Sequence, residues 1–228
     1  MSDLLLATSL EEVTDVLRGV ADLDKAEPMA AYTKHQFVYL GVTAGDRRTI
    51  AKEWTTAAKH TDTEELVDFA CLLWTSQFRE VHYVAMDVLR AGAKALGPEH
   101  LTVVRELIEA TPWWDTVDSL AIHTVGPMVR NHASLEAVMD EWINDPNLWI
   151  TRTAILHQLM YKDAINAERL FRYCEIHADH PDFFIRKAIG WALRQHARTA
   201  PQDVREFVEL HRNRFSGLTV REALKHLS

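Results

Sequence analysis

Val117-Asp118-Ser119-Leu120-Ala121-Ile122 falls into register with three other stretches: Val81-His82-Tyr83-Val84-Ala85-Met86, Ile150-Thr151-Arg152-Thr153-Ala154-Ile155 and Phe184-Ile185-Arg186-Lys187-Ala188-Ile189. Each closes on alanine followed by isoleucine or methionine, and the alanines at 85, 121, 154 and 188 stand 36, 33 and 34 residues apart. A period of that length is one helix pair per repeat, the sequence mark of an α-solenoid of the HEAT or armadillo kind. Alanine at the tight point lets paired helices approach closely. The spacing therefore predicts an all-α chain: one curved domain of HEAT-like helix pairs over residues 1–228, with its concave side as the binding surface.

Helix signals run outward from these stretches almost end to end. Ser9-Leu10-Glu11-Glu12 has the capping-box pattern and leads into Val13, Val16, Leu17 and Val20, read as one apolar stripe. Further helices are predicted near 28–40, 46–59, 63–76, 79–96, 98–110, 113–131, 134–144, 147–161, 164–177, 182–198, 201–213 and 218–227. Pro98, Pro112, Pro146, Pro181 and Pro201 fall near predicted starts, where a missing N–H costs little. No period-2 run reads as a strand. Eight glycines and seven prolines in 228 residues also disfavour a turn-rich β architecture.

Cys71 and Cys174 lack metal or redox spacing and read as buried thiols of a reducing compartment. The opening Met-Ser-Asp-Leu-Leu-Leu-Ala-Thr has no basic flank and only a short apolar run, and no apolar stretch reaches the length of a membrane span, so the expected location is the cytoplasm, with no membrane partner. The net charge of -8 is unevenly spread, with basic excess confined to residues 31–60 and 151–228. A curved fold can bring those two regions onto one surface, which allows a polyanion partner without requiring one.

Register assigns side chains to the groove. Asp118 lies three residues before its alanine, and Arg152 and Arg186 lie two before theirs, at comparable points of successive helices. Burying a polar group in every repeat would be costly, so the groove is the expected place for them. Trp113-Trp114-Asp115-Thr116-Val117-Asp118 sets an indole and a carboxylate four residues apart, on one face of a predicted helix. That pairing suits a flat cation, although tryptophan in a helical protein is commonly core and an early aspartate commonly a dipole partner. Asp115, one turn before Asp118, reads as structural. Twelve histidines include only His177-Ala178-Asp179-His180 as a cluster, there is no HExxH, no GxSxG and no Gly-rich phosphate loop, so neither metal nor nucleotide cofactor is expected.

Several ordered segments together resemble the AlkD-type DNA alkylation-repair glycosylases, a family of HEAT-like repeat proteins. They are Lys25-Ala26-Glu27-Pro28-Met29-Ala30-Ala31-Tyr32, Phe37-Val38-Tyr39-Leu40-Gly41-Val42, Arg47-Arg48, Trp113 to Asp118, Asn147-Leu148-Trp149-Ile150-Thr151-Arg152, Phe183 to Trp191 and Arg221-Glu222-Ala223-Leu224-Lys225-His226, spread over nearly the whole chain. The resemblance implies an enzyme, for which no metal or organic cofactor is expected and monomer is the default state. It would hydrolyse the N-glycosidic bond of cationic purines such as 3-methyladenine and 7-methylguanine in double-stranded DNA while the lesion stays stacked.

By the same resemblance Asp118 is the catalytic carboxylate, Trp114 and Trp191 are the two key indoles, and Arg152 is an arginine of the groove that neutralises a phosphate. Tyr32 and Thr43 occupy groove positions. Phe183 and Phe184 would set one ring near DNA and the other in the core, and Arg47, Arg48, Arg186 and Lys187, with Arg194 and Lys225, are phosphate-contact candidates. Trp149 reads as core.

The chain departs from the family pattern where Thr43 replaces a usual glutamine, where Ala44-Gly45 follows in place of a proline, and where Met160 interrupts Gln158-Leu159-Met160-Tyr161-Lys162. The rival reading is a non-catalytic repeat scaffold that binds DNA or a protein, which net acidity favours. Retention of Trp114, Asp118, Arg152 and Trp191 together favours the enzyme.

Overall fold

A computed structural model describes residues 4–227. The opening residues 1–3 and Ser228 lie outside the described residues. The helices are α1 Leu4–Ala7, α2 Leu10–Arg18, α3 Leu23–Tyr32, α4 Ala44–Ile50, α5 Lys52–Ala57, α6 Thr63–Trp74, α7 Arg79–Gly92 and α8 Leu101–Ala110. After them come α9 Trp114–Leu120, α10 Gly126–Asn131, α11 Leu135–Trp142, α12 Leu148–Leu156, α13 Ala167–Ile176, α14 Phe183–His196, α15 Pro201–Leu210 and α16 Gly217–Ala223. Among the described residues the only β pairing is a single parallel bridge between Val38 and Phe78, so the all-α reading holds. No described helix is long and apolar enough to cross a membrane. The contacts divide the chain into two compact units, residues 1–116 and 117–228, with α9 running through the division.

In the first unit α6 and α7 pack against each other, with α4 and α5 laid on α7. Val81, Val84, Ala85, Val88 and Leu89 of α7 are fully buried, which puts the register alanine in the helix contact. Ser9 and Glu12 close the capping box of α2 in both directions. Only half of the stripe read on α2 is inside, however: Val13 and Leu17 are buried, whereas Val16 and Val20, on the adjoining strip, are 49% and 44% exposed.

Two predicted helices are corrected. The one expected at 28–40 starts earlier and stops at Tyr32, enclosing Pro28. The residues beyond it run as a loop because the buried carboxylate of Glu80 accepts the backbone N–H groups of Leu40, Gly41 and Val42 at 2.8–3.1 Å, an alternative to helical carbonyls. Gly41 is required there: its φ is +86°, and an added Cβ would lie 1.8 Å from the carbonyl oxygen of Asp22. The helix expected at 46–59 breaks at Ala51 into α4 and α5.

In the second unit α14 is the hub, packed on α12, α13, α15 and α16. The helix expected at 113–131 is continuous in path but not in type, since Ala121–Val125 widens into a π turn between α9 and α10. The Tyr161 hydroxyl donates to the Gly126 carbonyl just beyond it at 2.6 Å.

Two buried histidines make stability depend on pH. His82 Nε2 donates to the Ser76 carbonyl at 2.8 Å and Nδ1 accepts from Arg79 at 3.2 Å, a pattern that fixes the neutral tautomer. Burial, reinforced by Arg79, holds its pKa down to about 4, and burial does the same to His157. Both stay neutral in the fold but take up a proton near pH 6.5 when unfolded. Their contribution is therefore complete above pH 6.5 and is lost as pH falls toward 4. At pH 5 the expected loss is about 2 kcal/mol per histidine. Urea unfolding at pH 7.5 and pH 5 measures it, and equal midpoints would contradict it.

Candidate functional site

Residues Asp115 and Asp118 are consecutive acids of α9, and each is locked by an arginine. In the first unit Arg79, fully buried at the start of α7, donates through Nε and Nη2 to the two oxygens of Asp115 at 2.9 and 2.6 Å. The same guanidinium reaches the Thr111 carbonyl and the Thr116 hydroxyl and lies 3.6 Å over the Phe37 ring. Tyr83 donates to Asp115 at 2.6 Å, and burial together with that carboxylate pushes its phenol pKa far up. Three of the roughly four acceptor sites of this carboxylate are thus taken within the protein.

The aromatic pair of this unit is more open. Tyr32, 71% exposed at the end of α3, meets Trp114 edge to face with ring centroids 5.3 Å apart. The basic candidates separate. Arg47 is buried, 3.2 Å from Asp87 and over the Tyr83 ring, whereas Arg48 is exposed on α4. Thr43 is the N-cap of α4, its hydroxyl accepting from the Asp46 N–H at 3.3 Å.

In the second unit Arg152 on α12 grips Asp118. Nε and Nη2 donate to the two carboxylate oxygens at 2.6 and 2.7 Å, and Nη1 donates to the Phe184 carbonyl. The two partners differ in access, with side-chain exposures of 3% for Arg152 and 14% for Asp118. Arg152, expected at a phosphate in an open groove, thus stands inside the protein with its donors turned to Asp118 and the backbone. The cost of burying it is offset because the pair is bidentate and hydrogen-bonded on its remaining side.

At the start of α14, Asp182 caps the helix by accepting the Phe184 N–H at 2.6 Å. Phe184 turns onto buried Trp149, with centroids 4.9 Å apart, while Phe183 is 56% exposed. Arg186 donates to the His180 carbonyl at 2.7 Å, Lys187 pairs with Glu222 at 2.7 Å, and Trp191 is partly exposed. His177 and His180 face each other at 5.4 Å, and among the described residues no group of three or more metal-ligating side chains gathers.

Sequence reasoning missed Arg79, Glu80 and Glu222. The first two act across 30 to 40 residues and carry no local motif. Their only trace was that Arg79 precedes Asp115 by 36 residues, close to the repeat period.

The family model described as "DNA alkylation repair enzyme" matches residues 13–227. A solved structure from Enterococcus faecalis, described as a predicted DNA alkylation repair enzyme, superposes with a TM-score of 0.84 at 30% identity, covering 91% of this chain and 97% of that one. AlkD2 from Streptococcus mutans gives a TM-score of 0.60 at 20% identity, covering 77% of this chain and 89% of its own. The protein smu.31 from the same species gives 0.59 at 20% identity, with coverage of 77% and 92%. At that identity the last two share the fold. No curated protein matches the chain.

Proposed function

The chain belongs to the DNA alkylation repair enzyme family, and we propose from that premise that it is a glycosylase of cationic alkylated purines in duplex DNA. The observation that carries the reading is the bidentate Arg152–Asp118 pair, which fixes a partly exposed carboxylate in one orientation. An alkylated ring nitrogen makes the purine cationic, so the C1′–N bond breaks with its electron pair leaving on a base that becomes neutral. The deoxyribose is then left with oxocarbenium charge. Asp118 opposes that charge and orients the water whose oxygen bonds to C1′, while the proton released passes to the carboxylate or to solvent.

In this reading Arg152 is a positioning residue: it holds Asp118 at a fixed angle, so that little reorganisation is needed when charge develops. Trp191, in the unit that carries Asp118, offers a ring face to the lesion cation and the sugar, and the Tyr32–Trp114 pair of the first unit presents an aromatic edge of its own to a duplex. Phe183 and Arg48, both exposed, are the open candidates for sugar and phosphate contact. No metal or organic cofactor enters these steps.

The test is release of 7-methylguanine from a defined duplex under single-turnover conditions, with the no-enzyme rate subtracted. Enzyme-dependent release with loss of no other base supports the reading. Tight duplex binding without release would replace it by a non-catalytic, DNA-binding repeat protein.

A further inference from the structure

We propose that Glu222 is an internal competitor for the DNA backbone, holding Lys187 and Arg194 of α14 in place of a phosphate and so lowering the affinity of the face that carries Trp191. The proposal rests on the DNA-binding reading above. Lys187, Trp191 and Arg194 are spaced i, i+4 and i+7 and fall within an arc of about 60° on α14. Glu222, reaching across from α16, takes Lys187 Nζ on Oε1 at 2.7 Å and Arg194 Nη1 on Oε2. Both cations are only partly covered, with side-chain exposures of 38% and 21%.

The ion pairs are not what fastens α16 to α14. The two helices are already flush: a Cβ added at Gly190 would come within 2.5 Å of the Glu222 Cβ. The Thr219 hydroxyl also donates to the Arg186 carbonyl at 3.3 Å, and Ala223 is fully buried. Partly exposed ion pairs add little to such packing. What Glu222 does change is the charge that α14 presents. One carboxylate bridging two cations makes the same electrostatic claim as a phosphodiester, and it holds its place because Lys187 above all, then Arg194, keeps its carboxyl below the ordinary glutamate range. Any backbone phosphate that docks beside Trp191 must displace that carboxylate from at least one cation.

The consequence is measurable in the salt dependence of binding to an undamaged duplex, read by fluorescence anisotropy between 50 and 200 mM KCl. E222Q is expected to bind about three- to tenfold more tightly than wild type at 50 mM. Its slope of log K against log salt should be steeper by up to about 2, because two more cations become available to release counterions. The advantage should shrink as salt rises and vanish when E222Q is added to the K187Q/R194Q background, that is, between K187Q/R194Q and K187Q/R194Q/E222Q. Equal or weaker binding by E222Q overturns the proposal, and so does an equal gain on adding E222Q to K187Q/R194Q, which would reflect net charge alone. Glutamine preserves the packed stem, and melting curves of each variant verify that the fold is kept. If wild type shows no salt-sensitive duplex binding at 50 mM, the DNA reading itself fails and this proposal falls with it. Binding by wild type with no change in E222Q rejects only the role of Glu222.

Discussion

Asp118→Asn is expected to lower single-turnover release of 7-methylguanine by at least about 100-fold, the scale on which removing a preorganised charge-stabilising group acts. The substitution has a second effect that follows from the geometry. Arg152 is 3% exposed and spends two bonds on Asp118. An asparagine can accept only one of them and supplies no charge, so a buried guanidinium is left without its counter-ion, at a cost of about 3–5 kcal/mol. The variant must therefore be assayed well below its melting temperature, with the folded fraction measured by circular dichroism. A companion variant, Asp118→Asn with Arg152→Gln, removes the stranded charge and should recover part of the stability while recovering none of the activity. Wild-type release by a folded Asp118→Asn would remove Asp118 from the mechanism. Stability and activity returning together in the companion would make the carboxylate a structural group only.

Arg79→Met is expected to be the most destabilising single change in the first unit. It empties a fully buried position that bonds Asp115 twice, reaches Thr111 and Thr116, and contacts His82 and the Phe37 ring. Asp115, with 8% side-chain exposure, is then left beside Tyr83 with no cation to answer it. Breaking one side of a buried pair costs about 3–5 kcal/mol, which in a chain of this size lowers the midpoint by on the order of 10 °C. Differential scanning calorimetry gives the value directly. Replacing both partners, Arg79→Met with Asp115→Leu, should recover much of the loss because the uncompensated charge is gone. A midpoint within about 2 °C of wild type, the scatter of such measurements, would show that the network contributes little.

The sequence carried the helical architecture well because its signals are local. Ser9 and Glu12 announce the start of α2 within four residues, and the alanine at 85 repeats at intervals that only stacked helix pairs produce. It carried the loop after Tyr32 badly. Nothing in Gln36 to Val42 says that a glutamate some 40 residues later will take up three of its N–H groups, so helix propensity stands unopposed in the sequence. The candidate site shows the same division. Asp118 and Arg152 were both marked from the sequence, but their direct pairing, and hence the burial of Arg152, depends on a contact across 34 residues. The repeat register put the two at comparable positions without saying whether they face a groove or each other. Lys187 likewise stands as a phosphate-contact candidate in the sequence, with no sign of its partner, Glu222, which arrives from a helix in the last turns of the chain.

The grip of Glu80 on the loop has an evolutionary side. It holds main-chain N–H groups and asks nothing of the side chains that follow, so the path of the chain into α4 is independent of what stands at position 43. Residue 43 has one duty to the scaffold, to cap α4, and serine, aspartate or asparagine would discharge it as well as threonine. The scaffold thus leaves one adjustable address beside a rigid frame. Exchange among those capping residues changes the chemistry displayed there without altering the fold, and a library of them at residue 43 would sample that variation with the architecture held constant.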